Sequence, residues 1–156
     1  MSGKTKILFV CLGNICRSAA AEAIMKKLTE QAGVADQYEI DSAGIINYHE
    51  GEPADRRMCE HARIHGYDIT SISRPVRQTD FDYFDLIVGM DNNNIEDLRD
   101  RAQTIEQERK IHAMREYFNA DTPEDYVPDP YYGGAQGFEL VISLLEEGCT
   151  NILKMR

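Results

Sequence analysis

The segment Cys11-Leu-Gly-Asn-Ile-Cys-Arg-Ser18 brings a thiol, a guanidinium and a hydroxyl onto one short stretch of chain. A free cysteine titrates near about 8.5, and a helix N-terminus with an arginine alongside can lower that by several units. Thiolate is the nucleophilic form, so Cys11 is a candidate nucleophile. Arg17 offers a planar fork of donors that matches two oxygens of a phosphate. The Ser18 hydroxyl can donate to sulfur and further favour its anion. Gly13 and Asn14 are residue types that tolerate the left-handed backbone a tight cradle requires. A Cys-x5-Arg spacing alone is short enough to recur by chance, so its setting decides what it means.

That setting is a strand followed by a helix. Lys6-Ile-Leu-Phe-Val-Cys11 is a short apolar run that reads as a buried strand. Ser18 to Leu28 is rich in strong helix formers, with Ala20, Ile24 and Leu28 at helical spacing and Gly33 suited to the stop. The loop between them would aim its N–H groups at one point, with the helix dipole adding positive charge: a seat for an anion.

Further along, Tyr38–Ala43 and Asp85–Met90 read as strands. Pro53 stands where a first helical turn tolerates proline, ahead of a face made by Ala54, Met58 and Ala62. Asp91 is placed to cap a helix over 92–101. Lys110 to Met114 fits a fourth strand, and a helix starting at Thr104 fits there as well. Asn119 to Gly137 carries three of the five prolines and reads as a loop. Phe138, Val141, Ile142, Leu145, Cys149 and Ile152 then recur as one face of a closing helix. Strands alternating with helices imply an α/β sandwich around a parallel sheet, whose ligands bind beyond the carboxyl ends of its strands.

The chain has 156 residues, the length of a single domain over 1–156. Its formal net charge of −10 argues against nucleic acid or an anionic membrane surface as partner. Neither a membrane span nor a secretory signal is visible, so a cytoplasmic location and reduced cysteines are expected. Cys59 and Cys149 are expected to pack within helices. His61 and His65, four residues apart, could ligate a metal, but without a third partner they read as a solvated helix face. Arg74 and Arg77 could help an anion approach, or simply be solvated. Cys16 could capture an oxidised Cys11 as a disulfide, or be a small buried loop residue.

The chain resembles the low-molecular-weight protein tyrosine phosphatases, in Val10-Cys-Leu-Gly-Asn-Ile-Cys-Arg-Ser18, Asp41-Ser-Ala-Gly44, Met90-Asp91 and Pro128-Asp-Pro-Tyr-Tyr-Gly133. These segments stand in the family's order, so the likeness spans essentially the whole chain. It implies a three-layer sandwich with a central four-stranded parallel sheet in a flavodoxin-like arrangement. It also implies Cys11 as nucleophile, Arg17 as phosphate clamp and Asp129 as general acid, working without a metal or other cofactor. Leu12, Gly13, Asn14, Ile15, Cys16 and Ser18 would form the phosphate loop, with Ser42 supporting it. Tyr48, Tyr131 and Tyr132 are candidate walls for an aromatic ring, and Tyr48 with His49 falls where the family's rim varies. Tyrosine-phosphorylated proteins would be substrates. Bacterial members commonly counter tyrosine autokinases, which makes such a kinase a candidate partner, and a monomer or weak dimer is expected.

Asp129 has a case of its own: a leaving phenolate needs a proton, and Pro128 and Pro130 restrict the backbone on both sides of that carboxyl. Two enzymatic alternatives share the loop. Arsenate reductases of this type need relay cysteines in the middle of the chain, and Met90 to Phe118 has none. Arginine phosphatases of the family carry threonine where Ile15 stands. A phosphate-binding module would need neither thiol nor acid.

Overall fold

The computed structural model describes residues 3–130 and 133–155; Tyr131 and Tyr132 lie outside the described residues. Four parallel strands form one sheet in the order β2-β1-β3-β4: β1 Thr5–Cys11, β2 Tyr38–Gly44, β3 Leu86–Gly89 and β4 Ile111–Ala113. The order places β1 in the sheet interior, between β2 and β3, so the loop after Cys11 opens at the centre of the carboxyl edge.

The alternation along β1 shows how the layers divide. Ile7, Phe9 and Cys11 face one core, with α1 (Arg17–Gln31) and α6 (Gly134–Met155). Leu8 and Val10 face the other, against α3 (Asp80–Tyr83) and α4 (Asn92–Arg101). All six apolar positions expected on the closing helix lie in the first core. Cys149 is fully buried there and Cys59, on α2 (Arg56–Ile64), is half-buried. The glycine stop of α1 is also borne out: Gly33 is left-handed at φ 74°, and Val34 N–H donates back to Thr29 O at 2.9 Å.

Several expectations change. Pro53 is outside any helix, forming an isolated bridge with Ile72, because α2 starts only at Arg56. Its cap is Asp55, whose side chain accepts from Arg57 N and Met58 N. The two readings around residue 110 are both realised, since α5 (Ile105–Arg109), capped by Thr104, abuts β4 directly. The long loop ends earlier than expected, with α6 beginning at Gly134.

His65 is exposed, as expected of a solvated face, and His61 is half-buried, but the two rings are engaged rather than free. Both ring nitrogens meet one carboxylate, Glu139 on α6, at 2.6 Å, and His61 stacks on Phe138. The hydrogen bonds to His65 and then His61 hold Glu139 below the usual carboxylate range. Among the described residues no cluster of three or more His, Cys, Asp or Glu could hold a metal ion, and no helix is long and apolar enough to cross a membrane.

Candidate active site

The loop from Cys11 to Arg17 folds into a cradle because its carbonyls are taken from outside. Cys11 O and Leu12 O accept from Ile45 N and Ile46 N at 2.9 and 3.0 Å, Gly13 O from Ser73 Oγ at 2.9 Å, and Ile15 O from Asp55 N at 2.8 Å. Cys16 O accepts from Ala20 N in the first turn of α1. The carbonyls therefore point away from the centre. Among the described residues, the N–H groups of Gly13 to Arg17 have no protein acceptor, which is the arrangement an anion seat requires.

Only one residue of the loop is left-handed: Asn14, at φ 58°. Gly13 does not need that freedom and is small for another reason, since a Cβ there would stand 3.1 Å from the His49 ring. Gly44, paired with Cys11 across the sheet, is similarly forced, because a Cβ would meet Leu12 O at 3.0 Å and Gly13 C at 3.1 Å.

Asn14 holds its strained backbone through its side chain. Its Oδ1 accepts from Arg74 N at 3.1 Å, and its Nδ2 donates to Ser18 Oγ at 2.8 Å and Ser42 Oγ at 3.0 Å. Ser18 Oγ lies 3.0 Å from Cys11 Sγ, and Ser18 N–H donates to the same sulfur at 3.4 Å. Since Ser18 Oγ is already an acceptor for Asn14, its hydrogen is available to the sulfur. The side chains of Asn14 and Ser18 are buried beneath the loop; any contact they make with a bound anion is through the main chain.

Arg17 is 4% exposed. Its Nη1 donates to Asp91 Oδ2 at 2.7 Å and to Val127 O at 3.0 Å. Both bonds leave from one nitrogen, so the other edge of the fork is not consumed by them. Burial opposes its charge, but the Cys11 sulfur, Asp91 and Asp129 outweigh that and hold the guanidinium above its ordinary value. Asp91 does double duty, because its Oδ1 also caps α4 by accepting from Asn94 N at 2.9 Å.

Above the loop opens a cleft of about 260 Å³. Cys11, Gly13, Cys16 and Arg17 line its floor, Leu12, Ile15, Ile46, Tyr48 and His49 its sides, and Asp129 reaches it from the segment before α6. That segment is pinned beside Asp129, where Val127 N donates to Met90 O at 2.9 Å while Val127 O receives Arg17. Cys16 has a thiol that burial first, then the negative charge of Asp55, pushes well up.

The Low molecular weight phosphotyrosine protein phosphatase family model matches residues 6–155. The chain belongs to that family. A low molecular weight protein-tyrosine-phosphatase of Streptomyces coelicolor is 40% identical over 95% of this chain and 91% of its own. The mouse low molecular weight phosphotyrosine protein phosphatase is 37% identical over 97% and 96%. A protein tyrosine phosphatase of Entamoeba histolytica, solved with Hepes in its active site, superposes with a TM-score of 0.93 at 47% identity, covering 97% of this chain and 96% of that one.

Three side chains that hold this low-molecular-weight phosphatase site together were not legible beforehand in those roles. Glu22 looks like half of an i,i+4 surface pair with Lys26, yet it is buried and accepts from Ser42. Asp91 reads only as a cap. Arg74, one of two arginines considered for anion approach, is instead consumed by Asp41 and Asp80 at 2.9 and 3.0 Å, which outweigh the effect of its burial and raise it further. The one available signal was Glu22 itself, a charge set within the alanine-rich Ala19–Ala23 stretch of a helix next to the loop.

Proposed function

We propose that this protein hydrolyses phosphotyrosine monoesters through a phosphorylated cysteine. What carries the reading is the convergence of Cys11, Arg17 and Asp129 on one cleft whose floor is a ring of main-chain N–H groups. Cys11 thiolate attacks phosphorus in line; the P–S bond forms as the bond to the phenolic oxygen breaks, and Asp129 gives that oxygen its proton. Water then attacks the phosphocysteine, Asp129 takes a proton from it, and the P–S bond breaks to release phosphate and thiolate. Arg17 and the loop amides hold the equatorial oxygens in both steps, so the charge is met by fixed donors rather than by reorganising water.

Leu12, Ile15, Ile46 and Tyr48 give the cleft apolar sides, which suits an aromatic ring. Tyrosine-phosphorylated proteins are the substrates this supports, with a tyrosine autokinase as the partner to test in a bacterial setting. A cytoplasmic monomer or weak dimer fits the same reading.

The test is turnover of p-nitrophenyl phosphate and of phosphotyrosine, phosphoserine and phosphoarginine peptides. Phosphotyrosine should be preferred, and Cys11→Ser should bind vanadate while losing turnover. A wild-type protein that binds oxyanion without releasing phosphate would be a binding module instead.

A further inference from the structure

A carboxylate buried in a helix is costly unless something requires it. Glu22 is 6% exposed, on the inward side of α1, and its two oxygens are both used: Oε1 accepts from Ser42 Oγ and Oε2 from Lys26 Nζ, each at 2.6 Å. Lys26 is half-exposed and can offset the charge from the surface. The bond to Ser42 leads inward. From Ser42 the chain of contacts passes to Asn14, to Ser18 and to Cys11 Sγ, all of them buried.

Hydrogen bonds have direction, and each hydroxyl carries a single proton. An ionised carboxylate can only accept, so Ser42 must donate to Glu22. Ser42 Oγ is then left with lone pairs for Asn14, which must present Nδ2 rather than Oδ1. The opposite end of the Asn14 amide agrees, because Arg74 N–H can only donate and so needs Oδ1. Asn14 Nδ2 has a second hydrogen, and Ser18 Oγ receives it. The Ser18 proton therefore goes to sulfur, its other acceptor, Ala43 O, being more distant at 3.5 Å against 3.0 Å.

We propose that Glu22 is a positioning residue for the reaction: as an obligate acceptor it sets the direction of the Ser42–Asn14–Ser18 chain, so that the Ser18 hydroxyl donates to Cys11 Sγ. The proposal rests on the reading of Cys11 as nucleophile. Glu22 touches neither the cleft nor the sulfur and acts only through the three links. An amide at this position would have both a donor and an acceptor end. With Lys26 claiming the acceptor end, Gln would turn N–H toward Ser42. Ser42 would then receive from both sides, and its own hydrogen, having lost its acceptor, would crowd the Asn14 Nδ2 hydrogens and loosen that link.

The charged and titratable groups near the two ends of the chain are kept intact by the test. Lys26 and Asp68 stand beside Glu22 at a small surface cleft. Arg17, Cys16, Asp91 and Asp129 surround the sulfur end.

Alkylation of Cys11 by iodoacetamide, followed by mass spectrometry across pH, reads the hydrogen bond to the sulfur directly; steady-state turnover of p-nitrophenyl phosphate accompanies it. Glu22→Gln should move the alkylation midpoint upward and lower kcat/KM by about 3- to 10-fold, the scale of one weakened buried hydrogen bond. Ser42→Ala should shift the midpoint the same way. In the Ser42→Ala background Glu22→Gln should add less than about twofold, because the chain is already cut. Independent, multiplying effects would overturn the proposal, as would a Glu22→Gln midpoint equal to that of an active wild type. If Glu22→Gln does not fold, an unmoved midpoint in Ser42→Ala overturns it equally. A wild-type protein inert to both reagents would overturn the reading of the site, and this proposal with it.

Discussion

Beneath the cleft, Asn14, Ser18, Ser42 and Glu22 are between 0% and 6% exposed and are joined by hydrogen bonds of 2.6 to 3.0 Å. At its mouth, Leu12 and Ile46 are 46% and 41% exposed and Tyr48 reaches 79%. The side chains beneath the cleft spend their donors on one another and on the Cys11 sulfur, so the loop they carry is fixed before a ligand arrives, with its main-chain N–H groups left for the anion. The mouth is made of apolar surface held by few specific bonds; among the described residues, the ring contact at Tyr48 is an edge-on meeting with His49 at 4.9 Å. Preorganised donors that act on developing charge affect every substrate alike. Loosely held apolar walls affect only the part of the substrate that touches them.

The comparison breaks most visibly at the acid and the clamp. Asp129→Ala should cut turnover by about 10²- to 10⁴-fold for phenols that leave poorly, with the loss shrinking as the leaving phenol becomes more acidic. A leaving-group series measured on both proteins checks this, and an equal loss across the series would remove Asp129 from its assigned role. Arg17→Lys keeps a charge but loses the fork, and should cost about 10²- to 10³-fold in kcat/KM irrespective of the leaving group. Asp91→Asn should cost about tenfold, since Arg17 Nη1 loses its charged partner but keeps a carbonyl acceptor at Val127. If Asp91→Asn matched Arg17→Lys, the Asp91 bond would govern the clamp far more than its geometry suggests.

The two loop thiols sharpen the same contrast within one turn of chain. Burial raises Cys16, so it stays protonated through the neutral range and should resist iodoacetamide there. Cys11 receives two hydrogen bonds at sulfur and opens on the cleft, so it should be alkylated first at neutral pH. Competition by inorganic phosphate should protect Cys11 specifically. Equal labelling of both residues, read by peptide mass, would contradict the environments described. A Cys11–Cys16 disulfide would need Cys11 oxidised first, so Cys16→Ser should then fail to recover from peroxide with thiol reductant.

How much of this was legible in the sequence follows the range of the interactions. The strand, the loop and the start of α1 are local, and apolar patterning with Cys-x5-Arg-Ser was enough to place Cys11 and Arg17 between them. The six-residue apolar face of α6 was legible because helical periodicity is local too. Glu139 was not legible as a partner of His61, 78 positions away, since nothing in either neighbourhood records the other. Arg74 failed for the same reason: its carboxylates come from β2 and α3. Pro53 misled because proline is compatible with a first turn, whereas the turn is set by the Asp55 cap. Glu22 and Lys26 have the spacing of a surface pair, and only the fold reveals that one of them is buried.

The smallest effect should come from the rim. Tyr48 is the most exposed of the residues lining the cleft and, among the described residues, makes no hydrogen bond to the loop, so its removal should leave the floor intact. Tyr48→Ala should leave the leaving-group dependence and the alkylation of Cys11 unchanged. It should raise KM for phosphotyrosine peptides by about 3- to 10-fold, the worth of one aromatic contact, and much less for a small substrate that does not reach the mouth. The ratio of the two KM changes is the quantity that matters, because a loss shared by both substrates would mean that Tyr48 supports the His49 ring over Gly13, and hence the floor. In that case the boundary between the fixed and the adaptable part of the site would run through Tyr48 rather than beneath it.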